Sequence, residues 1–165
     1  MRLNLDQVNG KLPPPQPTTA PPSSHPAPAS GTMPPPMPIL GHGIDIVETA
    51  RIRKLIEHHG PHFLDRVFTP AEQHYCNMSK KRTLEHYAGR FAAKEAVLKV
   101  LGTGWRGGIA WTDIEIAKDP SGQPKVVLTG ECARIAKTAG ISRWHVSISH
   151  IETHAMASAI GMRGE

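Results

Sequence analysis

The chain has 165 residues, 39% of them hydrophobic and 20% charged, which suits one globular domain and leaves no comfortable room for a second. No apolar run approaches the roughly 20 residues of a membrane-spanning helix, and Cys76 and Cys132 are too few for a disulfide framework or a metal knuckle, so reduced thiols in a cytoplasm are expected. A net charge of +5 and a pI near 9.5 favour an anionic partner, whether nucleic acid, a phosphate-bearing ligand or an acidic protein.

Arg2 and Lys11 are followed by no apolar segment, so no secretory signal is expected. Twelve of the 16 prolines fall between Pro13 and Pro38, among Ala, Ser and Thr. Proline removes backbone donors and biases its predecessor away from helix, and little apolar surface is available to offset ordering. Residues 1–38 are therefore expected to be a Pro-rich disordered tail, and residues 39–165 the folded domain. Docking of the tail in some aromatic groove is the sharper alternative.

Composition changes abruptly at Ile39. Ile39–Val47 is β-branched and punctuated by glycine, which predicts a strand. Thr49–His59 carries Ile52, Leu55 and Ile56 at helical spacing, with Gly60-Pro61 as its stop. Thr69-Pro70-Ala71-Glu72 has a capping threonine, a proline at the first position and an acid in the first turn, so a helix starts there. Thr83–Leu101 is the long helix, closed by Gly102 and Gly104. Asp113–Lys118 and Lys125–Leu128 read as a hairpin around Asp119-Pro120-Ser121-Gly122. A further helix over Glu131–Thr138 and strands over Arg143–Ser149 and Ala155–Ile160 complete the chain. The fold class is α+β: a mainly antiparallel sheet packed with a long central helix.

Two carboxylates sit in unexpected company. On the long helix, Leu84, Tyr87, Ala88, Phe91 and Leu98 form an apolar stripe, and Glu95 falls near its middle. An ionised acid there is costly unless it is compensated. An i, i+4 pair with Lys99 is the plain explanation; metal ligation or catalysis is the functional one. Asp45 interrupts Gly43-Ile44-Asp45-Ile46-Val47, which otherwise reads as a buried strand. Alternation sets it on the face opposite Ile44 and Ile46, beside Gly43, whose missing side chain leaves room for a ligand. It is either a strand acid bonded to nearby backbone or one of two hard oxygen ligands for magnesium. Arg90, Lys94 and Lys99 flank the stripe, either as a solvated face or as partners for phosphates.

Gly41-His42-Gly43-Ile44-Asp45-Ile46-Val47-Glu48, Phe68-Thr69-Pro70-Ala71-Glu72 with Tyr75-Cys76, and Gly89-Arg90-Phe91-Ala92-Ala93-Lys94-Glu95-Ala96-Val97-Leu98-Lys99 closely resemble the holo-acyl-carrier-protein synthase family of 4'-phosphopantetheinyl transferases. Leu101-Gly102-Thr103-Gly104, Asp113-Ile114-Glu115-Ile116 and Val146-Ser147-Ile148-Ser149-His150 agree as well, in the same order. The Pro-rich tail departs from the family, whose members usually begin close to the first strand. Ile151 also replaces a residue that is often polar, and that position receives no role.

The resemblance implies the 4'-phosphopantetheinyl transferase fold and a cytoplasmic enzyme of fatty acid biosynthesis, within lipid metabolism. It would transfer phosphopantetheine from coenzyme A to a serine of acyl carrier protein, with 3',5'-ADP leaving. It makes Asp45 and Glu95 the magnesium ligands and suggests Arg90, Lys99 and His150 as contacts for coenzyme A. Glu95, directly or through a metal-bound water, is the candidate catalytic base. Family members are homotrimers with active sites at subunit interfaces, and the carrier protein is strongly acidic. Arg51, Arg53, Lys54 and Arg66 would then form its docking surface.

Three other readings compete. A nucleic-acid module would explain the pI, but aromatics are only 5% and no recognition motif is present. Zinc at His58, His59, His62, His74 and Cys76 is disfavoured because Gly60-Pro61 interrupts the first three and the last two lie on different helical faces. A carrier domain of a polyketide or peptide synthetase as client is disfavoured too, since those transferases are usually chains about twice this length.

Overall fold

The computed structural model describes residues 39–104 and 108–164. The expected tail over residues 1–38 lies outside them. In chain order the elements are β1 (Ile39–Glu48), α1 (Thr49–Val67), α2 (Pro70–Asn77), α3 (Thr83–Leu101), a 3-10 turn (Trp111–Asp113), β2 (Ile114–Lys118), β3 (Pro124–Leu128), α4 (Gly130–Thr138), β4 (Arg143–His150) and β5 (His154–Met162).

The strands form two antiparallel sheets rather than one: a three-stranded sheet in the order β1-β5-β4 and the hairpin β2-β3. Helix α3 lies across the inner face of the larger sheet. Small residues make that approach possible. Ala155, Ala157 and Ala159 of β5 are fully covered, as are Ala88, Ala92, Ala93 and Ala96 of the helix. A Cβ added at Gly43 would overlap the Ala96 carbonyl, so only glycine lets β1 lie directly on α3.

Helix α1 shows the first difference from expectation. Gly60 takes φ 54, ψ −137 and kinks the chain, but Pro61 then opens a second helical stretch that runs to Val67. Proline at a first helical position lacks only an N–H that would have had no partner, so the expected stop restarts a helix. At α2 the capping box is complete: Thr69 Oγ1 accepts from the Glu72 N–H at 3.3 Å, and Glu72 accepts from the Thr69 N–H at 2.9 Å. Gly102 ends α3 with φ 70, a left-handed cap.

The long helix is not amphipathic. Tyr87 through Lys94 and Ala96 through Leu98 are all buried, because sheet, hairpin and helices surround it. Glu95 is only half-buried and lies at the open edge, so it is not the centre of a buried stripe. The charge enclosed by the core is Lys94, fully buried and paired to buried Glu72 at 2.8 Å. Lys94 also donates to the Trp111 and Ile114 carbonyls, and Glu72 accepts from the Ile116 N–H at 3.0 Å. Desolvation lowers the Lys94 pKa and the Glu72 charge opposes that. The ion pair thus ties α2, α3 and the hairpin together, and Lys94 faces away from any site for phosphates.

Strand β1 also differs. Ile44 and Ile46 are 50% and 63% exposed, and the inward face is Gly43, Asp45 and Val47. The run is therefore half-exposed, with Ile44 and Ile46 on the outer side of the sheet beside Met156.

Candidate active site

Asp45 points from β1 toward α3, where the glycine contact brings it to the helix edge that carries Glu95 and Lys99. Lys99 Nζ donates to Asp45 Oδ1 at 2.9 Å and to the Ile44 carbonyl at 2.6 Å. The ammonium therefore serves Asp45 rather than its i−4 neighbour Glu95. Burial raises the Glu95 pKa above the ordinary carboxylate value and the Asp45 charge adds to it, while Lys99 and Arg51 act against both. Two neighbouring carboxylates, with the ionisation of Glu95 disfavoured, are hard oxygen donors in need of positive charge. The pair fits a hard divalent cation.

Arg90 and His150 come together elsewhere. Five residues separate Arg90 from Glu95, about 140° around the helix and ~7.5 Å along it. Asp45 and His150 lie on the two outer strands of the sheet. A pocket of about 160 Å³ forms where α2, α3, β4 and the β2-β3 turn meet, lined by Tyr75, His86, Arg90, Lys118 and His150. The Arg90 guanidinium stacks on Tyr75 with Cζ 3.9 Å from the ring centroid, and Lys118 Nζ lies 5.3 Å from the same centroid. His86 sits between Tyr75 and His150 at centroid distances of 5.2 and 5.7 Å. Arg90 is 6% exposed, and its Nε and the His86 Nδ1 have no hydrogen-bond partner. A pocket in which the Arg90 guanidinium keeps an unused donor beside Lys118 suits an anion.

No hydrogen bond or ion pair among the described residues joins the two groups. One chain thus presents two half-sites: Asp45, Glu95 and Lys99 in one, Arg90 and His150 in the other. Tyr75, His86 and Lys118 were not assigned from sequence. Tyr75 stood in a recognised motif without a role, and nothing local marks His86 or Lys118. Arg51, Arg53, Lys54 and Arg66 are all exposed. All four belong to α1, Arg51, Arg53 and Lys54 before the kink at Gly60 and Arg66 after it; Arg51 acts electrostatically on Glu95, and Arg53 lines a groove with Lys80 and Lys81.

This fold and these half-sites define a class, and residues 41–159 match the family model of the 4'-phosphopantetheinyl transferase superfamily: the chain belongs to that superfamily. Within it, the similarity is to holo-[acyl-carrier-protein] synthases. That of Koribacter versatilis is 50% identical over 122 residues, covering 74% of this chain and 97% of the relative. That of Halothermothrix orenii is 46% identical over 126 residues, covering 76% and 99%. Among solved structures, the Neisseria meningitidis synthase gives a TM-score of 0.68 at 35% identity, covering 75% of this chain and 98% of that one. The Bacillus anthracis synthase in complex with CoA (3',5'-ADP) gives 0.63 at 35%, covering 76% and 98%. No described helix is long and apolar enough to cross a membrane.

Proposed function

We propose that this chain transfers 4'-phosphopantetheine from coenzyme A to a serine of apo-acyl carrier protein, releasing 3',5'-ADP. The observation that carries the reading is the carboxylate pair Asp45 and Glu95, held against a helix edge in a chain that matches holo-acyl-carrier-protein synthases over almost their whole length. A bound magnesium ion would supply charge neutralisation at the pyrophosphate. Asp45 and Glu95 are the residues to hold it.

The remaining work falls to side chains. Arg90 and His150 bind the phosphates or adenosine end of coenzyme A, and Lys99 lies near enough to Asp45 to serve a phosphate beside it. Glu95 is the candidate base for the serine hydroxyl. Positioning and electrostatics supply most of the rate. Exposed Arg51, Arg53, Lys54 and Arg66 meet the acidic carrier protein and accelerate its encounter.

The two half-sites suggest that a working site needs two chains. Ile44, Ile46 and Met156 form an apolar strip on the outer sheet face, 45–63% exposed, of the kind that an interface covers. A homotrimer packed through this face would join the Asp45–Glu95 half of one chain to the Arg90–His150 half of the next. Residues 1–38 stand outside this scheme as a separate Pro-rich tail. The protein's work would be cytoplasmic, in fatty acid biosynthesis.

Intact-mass analysis tests the reading. Apo-acyl carrier protein incubated with this protein, coenzyme A and magnesium gains one phosphopantetheine on a single serine. An unchanged mass at every magnesium concentration contradicts it.

A further inference from the structure

Lys99 supplies the positive charge that pairs with Asp45. Its Nζ is fixed at two points, on Asp45 Oδ1 at 2.9 Å and on the Ile44 carbonyl at 2.6 Å. Glu95 has no ion pair among the described residues, so the single ammonium is spent on Asp45. The Lys99 side chain is 49% exposed and that of Asp45 19%, which places the ammonium on the solvent side of the carboxylate. It is a compact charge on a flexible stem, free to swing outward.

Resting on the metal reading above, we propose that Lys99 is a tethered counter-ion for Asp45 which a divalent cation has to displace, releasing the ammonium toward the substrate's phosphates. An exposed ion pair is weak enough for a divalent ion to outcompete. Competition of this kind lowers apparent metal affinity by the fraction of molecules in which Asp45 is already occupied. Neutralising Lys99 should therefore move two properties in opposite directions: metal binds more tightly and phosphopantetheine transfer falls. A lysine that served only the phosphates would leave binding of metal alone unmoved.

The probe is Mn²⁺ alone, titrated into the full-length protein without coenzyme A and followed by the electron paramagnetic resonance of the free ion. Lys99→Met should bind Mn²⁺ about three- to fivefold more tightly than wild type, the upper part of the range expected for loss of a partly exposed pair. Lys99→Gln serves as a second neutral variant should the methionine form melt early. Arg51→Met is the control, since Arg51 acts on Glu95 through space and has no hydrogen bond to Asp45. Its affinity should stay within about twofold of wild type. Equal tightening in the Arg51 and Lys99 variants would reveal a diffuse field and overturn the tether. Unchanged or weaker binding in both Lys99 variants overturns it while leaving the metal reading intact. No Mn²⁺ binding by any of the proteins removes both.

Discussion

At the scale of single residues, Glu95 and His86 carry charges that folding disfavours, for different ends. Burial and the Asp45 charge make ionised Glu95 unfavourable, so its contribution to stability is lost as pH rises through its raised pKa. Glu95→Gln should leave the metal-free melting temperature at pH 7.5 equal or higher. Transfer should fall ~100-fold or more, as when a group aimed at developing charge is removed. Retained activity would show that the acid is structural. His86 titrates the other way. Burial, then Arg90 and His150, push its pKa below the ordinary 6.5, and the Cys76 carbonyl and Glu85 only partly oppose them. The unfolded chain therefore takes up this proton before the folded one as pH falls. His86 costs nothing above pH 6.5 and destabilises progressively below it. His86→Phe keeps a ring against Tyr75 and His150. Its melting temperature should fall less than that of wild type between pH 7.5 and 5, and parallel curves would refute the assignment. Sequence reasoning singled out Asp45 and Glu95 because acids in apolar runs are conspicuous. It missed His86, because only the tertiary fold sets the ring between Tyr75 and His150.

At the scale of elements, chain order and type were legible apart from the helical stretch after Pro61 and the 3-10 turn at Trp111–Asp113, since the rest carried local signals: the Thr69 cap, the Gly102 terminator, the turn at Asp119-Pro120-Ser121-Gly122. What could not be read was which sides of an element are covered. A helical wheel assumes one buried face, and α3 has cover on nearly all sides, so Lys94 was taken for a flank. The Lys94–Glu72 pair instead joins three elements. Lys94→Met alone leaves a buried carboxylate without its partner and should cost about 3–5 kcal/mol in denaturant unfolding. Adding Glu72→Leu should recover part of that loss, though the α2 cap goes with it. A cost below about 1 kcal/mol for the single variant would mean that water reaches the pair.

At the scale of the whole molecule, the exposed Ile44, Ile46 and Met156 explain why β1 read as a buried strand: alternation tells which residues share a face, and assembly decides whether that face meets water. The proposed homotrimer predicts that Ile46→Asp shifts the protein toward monomer in sedimentation velocity and lowers transfer in proportion. A monomeric wild type would contradict the assembly. Sharing of the site between chains is the central claim, and subunit mixing tests it most directly. Glu95→Gln damages one half-site and Arg90→Met the other, so in the proposed homotrimer each variant alone should be nearly inactive. Unfolded together and refolded as mixed trimers, they should regain a substantial part of wild-type transfer to apo-acyl carrier protein, because some interfaces then pair an intact Glu95 with an intact Arg90. Mixed trimers as inactive as their parents would show that each site lies within one chain.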